Sequence, residues 1–331
     1  MTIEAVLAVT YKCNARCKMC HIWQSKPQEE LTPQEFANLP SYLKTINISG
    51  GEPFLRNDLP EIISRLNKSC HLPRIVISTN GLLPDRIRDM MLKIKNISEK
   101  IGVGVSIDGI GKTHEEVRGI IGAYEKALNS IENLKSIGIK DLRIGFTISD
   151  INVEDLRNVY DLANKLRVEF TCSIAQNSEH YFMTNNNKFE KIDVLKEHLE
   201  YIAREELKRN QPKRWFRTYF LAGTYYYAKG KKRILPCDAG SNFFFMSPNG
   251  NIYPCNILNK VMGNIKVSNF HDIWSSENAE KIRKIVSNCS LNCWMICTAR
   301  TAIKKNIVKI GYWILKNKLR GYFNYENLIS E

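Results

Sequence analysis

Between residue 5 and about residue 175, short runs of β-branched and aliphatic residues alternate with longer stretches whose apolar positions recur every three or four residues. The runs are AVLAVT (5–10), TINIS (45–49), RIVIST (74–79), GVGVSI (102–107), LRIGFTI (142–148) and VEFTCSI (168–174), and each reads as a strand. The periodic stretches predict helices near 33–43, 58–68, 83–95, 120–136, 153–166 and 189–209. Thr32-Pro33 opens the first, Asn152 ahead of Glu154 and Asp155 opens the fifth, and Gly138 closes the fourth. Six strand–helix repeats predict an α/β fold in which a parallel sheet curves into a partial (β/α)6 barrel with its helices outside. Functional groups in such folds gather at the C-terminal ends of the strands.

Beyond residue 210 the pattern changes. WFRTYFLAGTYYYAKGKK, within 211–234, is aromatic and basic and predicts a bridging helix. From Leu235 come short strands, the turn Pro248-Asn249-Gly250 and clustered cysteines, a small unit over 235–300. The remainder, 301–331, contains IKKNIVKIGYWILKNKLRG (303–321), with Ile303, Ile307, Ile310, Trp313 and Ile314 set against lysines. That spacing is an amphipathic helix, either docked on the core with a solvated basic face or lying at an anionic membrane surface. The expected division is thus 1–210, 211–234, 235–300 and 301–331. No run approaches the roughly 18 apolar residues of a membrane span.

The composition, 44% hydrophobic and 25% charged over 331 residues, is that of a globular protein. A formal charge of +14 favours acidic partners: anionic lipid, a phosphorylated substrate, an acidic electron donor or nucleic acid. No nucleic-acid-binding motif is present, so nucleic acid is not expected. The N-terminus runs into a cysteine motif without a basic n-region, and a cytoplasmic protein is expected. Ten cysteines in that compartment read as metal ligands in place of disulfides. Cys70 and Cys172 stand alone and read as buried apolar residues.

YKCNARCKMCHIW (11–23) follows the first strand and sets Cys13, Cys17 and Cys20 close together. Three thiolates leave one position of a tetrahedral site open, so either a distant residue completes a zinc site or the opening receives a reacting ligand. The next three strands end in ISGGEPFL (48–55), STNG (78–81) and SIDG (106–109). Gly-Gly lets a backbone approach a ligand without a Cβ in the way, and Glu52 could pair with an ammonium group. Each ending alone is ordinary turn chemistry; their coincidence at four successive strands is not.

C-x3-C-x2-C, GGEP and the ordered polar strand ends resemble the radical S-adenosylmethionine (SAM) superfamily over roughly 1–210. The resemblance implies that Cys13, Cys17 and Cys20 hold a 4Fe–4S cluster whose fourth iron takes SAM. One-electron cleavage then yields a 5′-deoxyadenosyl radical that removes hydrogen from substrate. It places Gly50, Gly51, Glu52 and Pro53 at the methionyl amino group, Ser106 and Asp108 at ribose or carboxylate, and Gly145 at adenine. Asn80 faces SAM or substrate, and Met19 replaces a frequently aromatic residue that packs on adenine. A reductant such as flavodoxin or ferredoxin is implied too.

The second cysteine group, C-x12-G-x4-C (Cys237, Gly250, Cys255) followed by CSLNCWMIC (Cys289, Cys293, Cys297), resembles the SPASM or twitch extension of that superfamily. Five cysteines imply one auxiliary 4Fe–4S cluster, with Cys237, Cys255, Cys293 and Cys297 as ligands and Cys289 as competitor. The same residues could build a zinc ribbon. Arg118, in HEEVRG (114–119), is expected either at a substrate carboxylate or phosphate or paired with Glu115 on a helix surface. The expected activity is radical chemistry on a carbohydrate or lipid-linked intermediate. Peptide modification is the alternative, ranked second because no winged-helix extension precedes Cys13. A metal-binding nucleic-acid adaptor is the non-enzymatic alternative.

Overall fold

The computed structural model describes residues 3–322 and 328–329. Six parallel strands form the main sheet: β1 (Ile3–Thr10), β2 (Leu43–Gly50), β3 (Arg74–Thr79), β4 (Ile101–Ser106), β5 (Asp141–Ile148) and β6 (Glu169–Ile174). The connecting helices are α1 (Leu59–Ser69), α2 (Pro84–Lys95), α3 (Lys112–Arg118), α4 (Ala123–Ser136) and α5 (Leu156–Lys165), followed by α6 (Ile192–Lys208) and α7 (Pro212–Ala228). Alternation along the strands decides which face is which. Ile46, Ile48, Ile75, Ile77, Ile144 and Phe146 point outward and bury themselves against Ile62, Leu66, Ile87 and Ile131 of the helices. Cys70 and Cys172 lie in that same core, as buried apolar residues should.

The opposite face is polar at its C-terminal end. Asn47, Ser49, Ser78, Ser106, Thr147 and Ser173 all border one cleft inside the curve of the sheet.

The cysteine-rich segment extends this sheet. β7 (Phe243–Met246) pairs in parallel with the free edge of β1, and β8 (Asn251–Tyr253) and β9 (Gly263–Asn264) continue antiparallel, giving the order β6-β5-β4-β3-β2-β1-β7-β8-β9. All four residues of β7 are buried, because β1 and β8 flank it and side chains cover both its faces. After it come α8 (Phe270–Ser275), α9 (Glu277–Ser287), α10 (Ile296–Lys305) and α11 (Ile307–Tyr322).

Three expected helices differ. The first, near 33–43, is only a 3-10 turn, Pro33–Asn38, capped by Thr32 and Glu35, with Pro40 just beyond its end. The one near 120–136 is preceded by a separate short helix, α3, bounded by Gly111 at φ +53° and Gly119 at φ +65°. The terminal 303–321 helix is two helices meeting at Asn306. In α11 Ile310 and Ile314 are buried, and Trp313 meets Tyr219 edge-on at 5.1 Å. Val308, Tyr312, Leu315 and Leu319 form a second apolar line, which is exposed. Residues 323–327 and 330–331 of the expected C-terminal tail lie outside the described residues. Among the described residues no helix is long and apolar enough to cross a membrane.

Gly223 of α7 joins the two parts of the molecule. A Cβ there would stand 2.1 Å from the indole of Trp294, whose Nε1 donates to the Phe220 carbonyl at 2.9 Å. Gly223→Ala gains about 1 kcal/mol of helix propensity but overpacks a buried ring, at about 1–3 kcal/mol or more. Calorimetry should therefore show a lower melting temperature for Gly223→Ala, although alanine is the better helix former.

Candidate active site

The loop from Tyr11 to Cys20 is fastened to its neighbours by backbone. Gly51 N–H donates to the Thr10 carbonyl at 2.8 Å and Glu52 N–H to that of Lys12 at 2.9 Å. A Cβ on Gly50 would lie 2.1 Å from the Thr10 oxygen, and one on Gly51 2.2 Å from the Lys12 oxygen. The Gly-Gly pair is thus required by the passage of this loop, a closer constraint than the ligand approach expected from sequence. From the other side, Arg16 and Lys18 N–H groups donate to the carbonyls of Arg118 and Val117, at the end of α3.

Held this way, Cys13, Cys17 and Cys20 border a cleft of about 290 Å³ together with Met19, Gly50, Gly51, Asn80 and Ser106. Glu52, Pro53 and Asp108 do not border it, and Gly145 borders a deeper cavity that the cleft adjoins. Glu52 is 1% exposed and its carboxylate is already engaged. It accepts from Phe54 N–H at 3.1 Å, the Thr79 hydroxyl at 2.9 Å and Asn80 N–H at 2.7 Å, tying the ends of β2 and β3. Burial pushes its pKa up to about 7 against those hydrogen bonds. Pro53 opens a buried 3-10 turn, Pro53–Leu55.

Asp108 is fully buried. It accepts from Thr147 N–H at 2.6 Å and pairs at 2.5 Å with Arg118. Burial raises its pKa while the Arg118 guanidinium pulls the other way. Arg118 is buried and pairs with Asp108 in place of Glu115, yet it borders the cleft, and its other Nη donates to Cys17 Sγ at 3.5 Å. His114, also buried, accepts from Asp108 N–H at 2.9 Å through Nδ1. Burial lowers its pKa to about 3, so it is neutral. Asn80 donates to Asn14 Oδ1 at 2.7 Å and its amide lies 4.0 Å from Cys13 Sγ.

The donor set fits an iron–sulfur cluster. All ten cysteines are free of disulfides. Burial pushes Cys13 up to about 11 and Cys20 up to about 12, so bare thiolates are disfavoured and bound metal would keep them ionised. Among the described residues, no three His, Cys, Asp or Glu side chains converge on a single metal ion. The three cysteines edge one open cleft, which leaves room beside them for a further ligand.

In the C-terminal unit, Cys255 Sγ accepts from the N–H groups of Ile257 and Leu258 at 3.4 and 3.3 Å. Burial first, then the charges of Cys237 and Cys289, push its pKa up to about 11. Burial likewise raises Cys293, with Cys255, Cys237 and Cys289 adding to it. These four therefore neighbour one another. Cys297, in the first turn of α10, adjoins Cys255 and also borders the cleft of Cys13, Cys17 and Cys20. Sequence reasoning did not foresee that wall, nor Tyr181, whose buried hydroxyl lies 2.6 Å from Ser49 Oγ at the same cleft.

Comparison with known proteins agrees with this geometry. Residues 7–163 match the radical SAM superfamily, and residues 237–294 match SPASM, an iron–sulfur cluster-binding domain. The AdoMet-dependent heme synthase of Methanosarcina barkeri is 30% identical over 307 residues, covering 84% of this chain and 82% of that protein. The Fe-coproporphyrin III synthase of the same organism is 37% identical over 172 residues, 50% of this chain but only 41% of that protein. Streptococcus suis SuiB bound to S-adenosylmethionine shares the fold, with a TM-score of 0.65 at 16% identity, covering 88% of this chain and 72% of that one. SuiB bound to its precursor peptide SuiA gives the same TM-score.

Glu52→Gln removes one of two carboxylate oxygens that serve three buried donors. Leaving one donor unpaired costs about 1–3 kcal/mol. The variant should melt several degrees lower before any ligand is added, as followed by circular dichroism. An unchanged melting temperature would show that the carboxylate does not brace the two strand ends.

Proposed function

The chain belongs to the radical SAM superfamily and carries a SPASM-type iron–sulfur domain, and from that premise we propose a division of labour among its residues. The protein is an enzyme, with a 4Fe–4S cluster, SAM and auxiliary iron–sulfur binding as its cofactors. Cys13, Cys17 and Cys20 hold the SAM-binding cluster. The observation that carries this reading is their common cleft with the polar inner ends of the strands. When bound there, the cluster and SAM would supply the one-electron chemistry that removes a hydrogen atom from substrate.

The remaining roles belong to the chain itself. Met19, Gly50, Gly51, Asn80 and Ser106 wall the SAM cleft, and Gly145 lies deeper, toward adenine. Glu52 and Pro53 act at one remove, by fixing the loop that presents Gly50, Gly51 and Asn80. Asp108 holds Arg118, whose donation to Cys17 offsets thiolate charge. One auxiliary 4Fe–4S cluster is held by four of Cys237, Cys255, Cys289, Cys293 and Cys297, and Cys297 brings that domain to the cleft.

The substrate we propose is a carbohydrate or lipid-linked intermediate, met at a membrane surface through 303–321, with flavodoxin or ferredoxin as reductant. The exposed line of Val308, Tyr312, Leu315 and Leu319 beside Lys309, Lys316 and Lys318 supports that contact. Peptide modification is the second reading, favoured by the SuiB fold, which is known with a bound precursor peptide. The adaptor reading is set aside, since the chain is an enzyme of this family.

Reconstituted anaerobically with dithionite and SAM, the protein should release 5′-deoxyadenosine, and a variant with Cys13, Cys17 and Cys20 all changed to Ala should not. Equal release from both would sink the assignment. Iron analysis is independent of turnover: two Cys-ligated 4Fe–4S units correspond to about eight irons, and the triple variant should keep about four. Zinc in place of the second set would favour the ribbon.

A further inference from the structure

A second cavity, of about 470 Å³, lies at the opposite end of the sheet from the loop of Cys13, Cys17 and Cys20. Thr45, Arg74, Arg143 and Glu169, at the N-terminal ends of β2, β3, β5 and β6, form one side of it. The other side is apolar: Phe216, Phe220 and Leu221 of α7, Ile296 and Ile303 of α10, and Ile307 at the start of α11. Its size is within the roughly 300–1,000 Å³ of small-ligand pockets.

We infer that this cavity binds an anionic amphiphile, a phosphate carried on an apolar chain, with the phosphate toward the barrel and the chain toward α11. Charge argues for the phosphate. Arg74 and Arg143 share Asp141, Lys213 and Arg217 share Glu169, and Arg300 and Lys304 share Glu4. Arg217 also meets the buried Glu206, which Arg214 shares. Seven cations around four carboxylates leave an excess of positive charge at an apolar wall. Arg143 Nε is buried without a hydrogen-bond partner.

Position argues for the substrate. The deeper cavity beneath the SAM cleft shares Thr45, Arg143, Thr171 and Arg300 with this pocket, and Ile296 borders all three spaces. A group held by Arg143 therefore stands at the floor of the barrel, below the place where hydrogen is removed. At the other end Ile307, 55% exposed, continues into the outward line of Val308 and Tyr312. A chain in the pocket leaves the protein where α11 is apolar.

The identity of this ligand as substrate rests on the lipid-linked reading above, but its binding does not. Calorimetry on the reconstituted protein, without SAM or dithionite, compares dodecyl phosphate below its micellar concentration with inorganic phosphate, dodecanol and coproporphyrin III. Dodecyl phosphate should bind at one site, at least ten-fold more tightly than the other three. Arg143→Met should weaken it about ten-fold or more, as loss of a charge-assisted contact does, and leave dodecanol unchanged. Ile303→Asp, in a variant shown by its melting curve to be folded, should abolish binding. Equal affinity for inorganic phosphate or for dodecanol, tighter binding of coproporphyrin III, or unaltered binding by Ile303→Asp would each overturn the inference. If dodecyl phosphate binds as expected while SAM is not cleaved, the pocket stands and the proposed activity falls.

Discussion

Asp108 and Arg118 meet at 2.5 Å with almost no water at either side chain. A buried ion pair repays its desolvation only when its other hydrogen-bonding positions are filled, and losing one partner strands the other charge. Here several of those groups come from separate elements beside the cleft. Thr147 N–H reaches Asp108 from β5, His114 of α3 takes the Asp108 N–H, and Asn152 donates to the Asp108 carbonyl at 2.9 Å. One guanidinium Nη donates to Cys17, while Nε is buried without a partner. The pair therefore sets the positions of β4, β5, α3 and the cysteine loop relative to one another. It also leaves a fixed positive charge beside a sulfur.

The strands were legible because each is a short apolar run with an outward face that must be buried. The barrel's inner face is legible in the sequence at the polar strand ends, Ser78 and Ser106 among them, and less so further down the strands. Asn47, Ser49, Ser78, Ser106, Thr147 and Ser173 interrupt those runs at every second position, the mark of a face kept for a ligand. The strand-end carboxylates were found as residues, while their direction was not. Whether Glu52 or Asp108 turns toward a ligand or toward backbone donors depends on Phe54, Asn80 and Thr147, and spacing along the chain does not encode that. α3 escaped notice because seven residues between two glycines carry too little periodicity. The apolar residues of α11 were read as one face, whereas they occupy two sides of the helix.

The cysteine-rich segment reads in sequence as an appended unit, yet three separate contacts join it to the barrel. β7 pairs with β1 along four residues, Trp294 packs into the gap left by Gly223, and Glu4 of β1 is 5% exposed beneath Arg300 and Lys304. Each spans more than 70 residues of chain, and pairings at that separation are chosen by the complementarity of finished surfaces, which no local pattern announces.

The β1–β7 pairing also has a consequence for synthesis. β1 leaves the ribosome ahead of both its neighbours, and the one on one side, Leu43–Gly50, follows within about forty residues. Its other edge finds Phe243–Met246 only after more than 200 further residues have been made. At the usual translation rate of roughly 5–20 residues per second that interval is on the order of ten seconds or more. Through it the strand that carries the cysteine loop has an unsealed edge, the type of surface on which nascent chains cross-pair. A shortened chain ending after β6 would keep that edge open permanently, so the barrel cannot be excised from its C-terminal third as a well-behaved fragment.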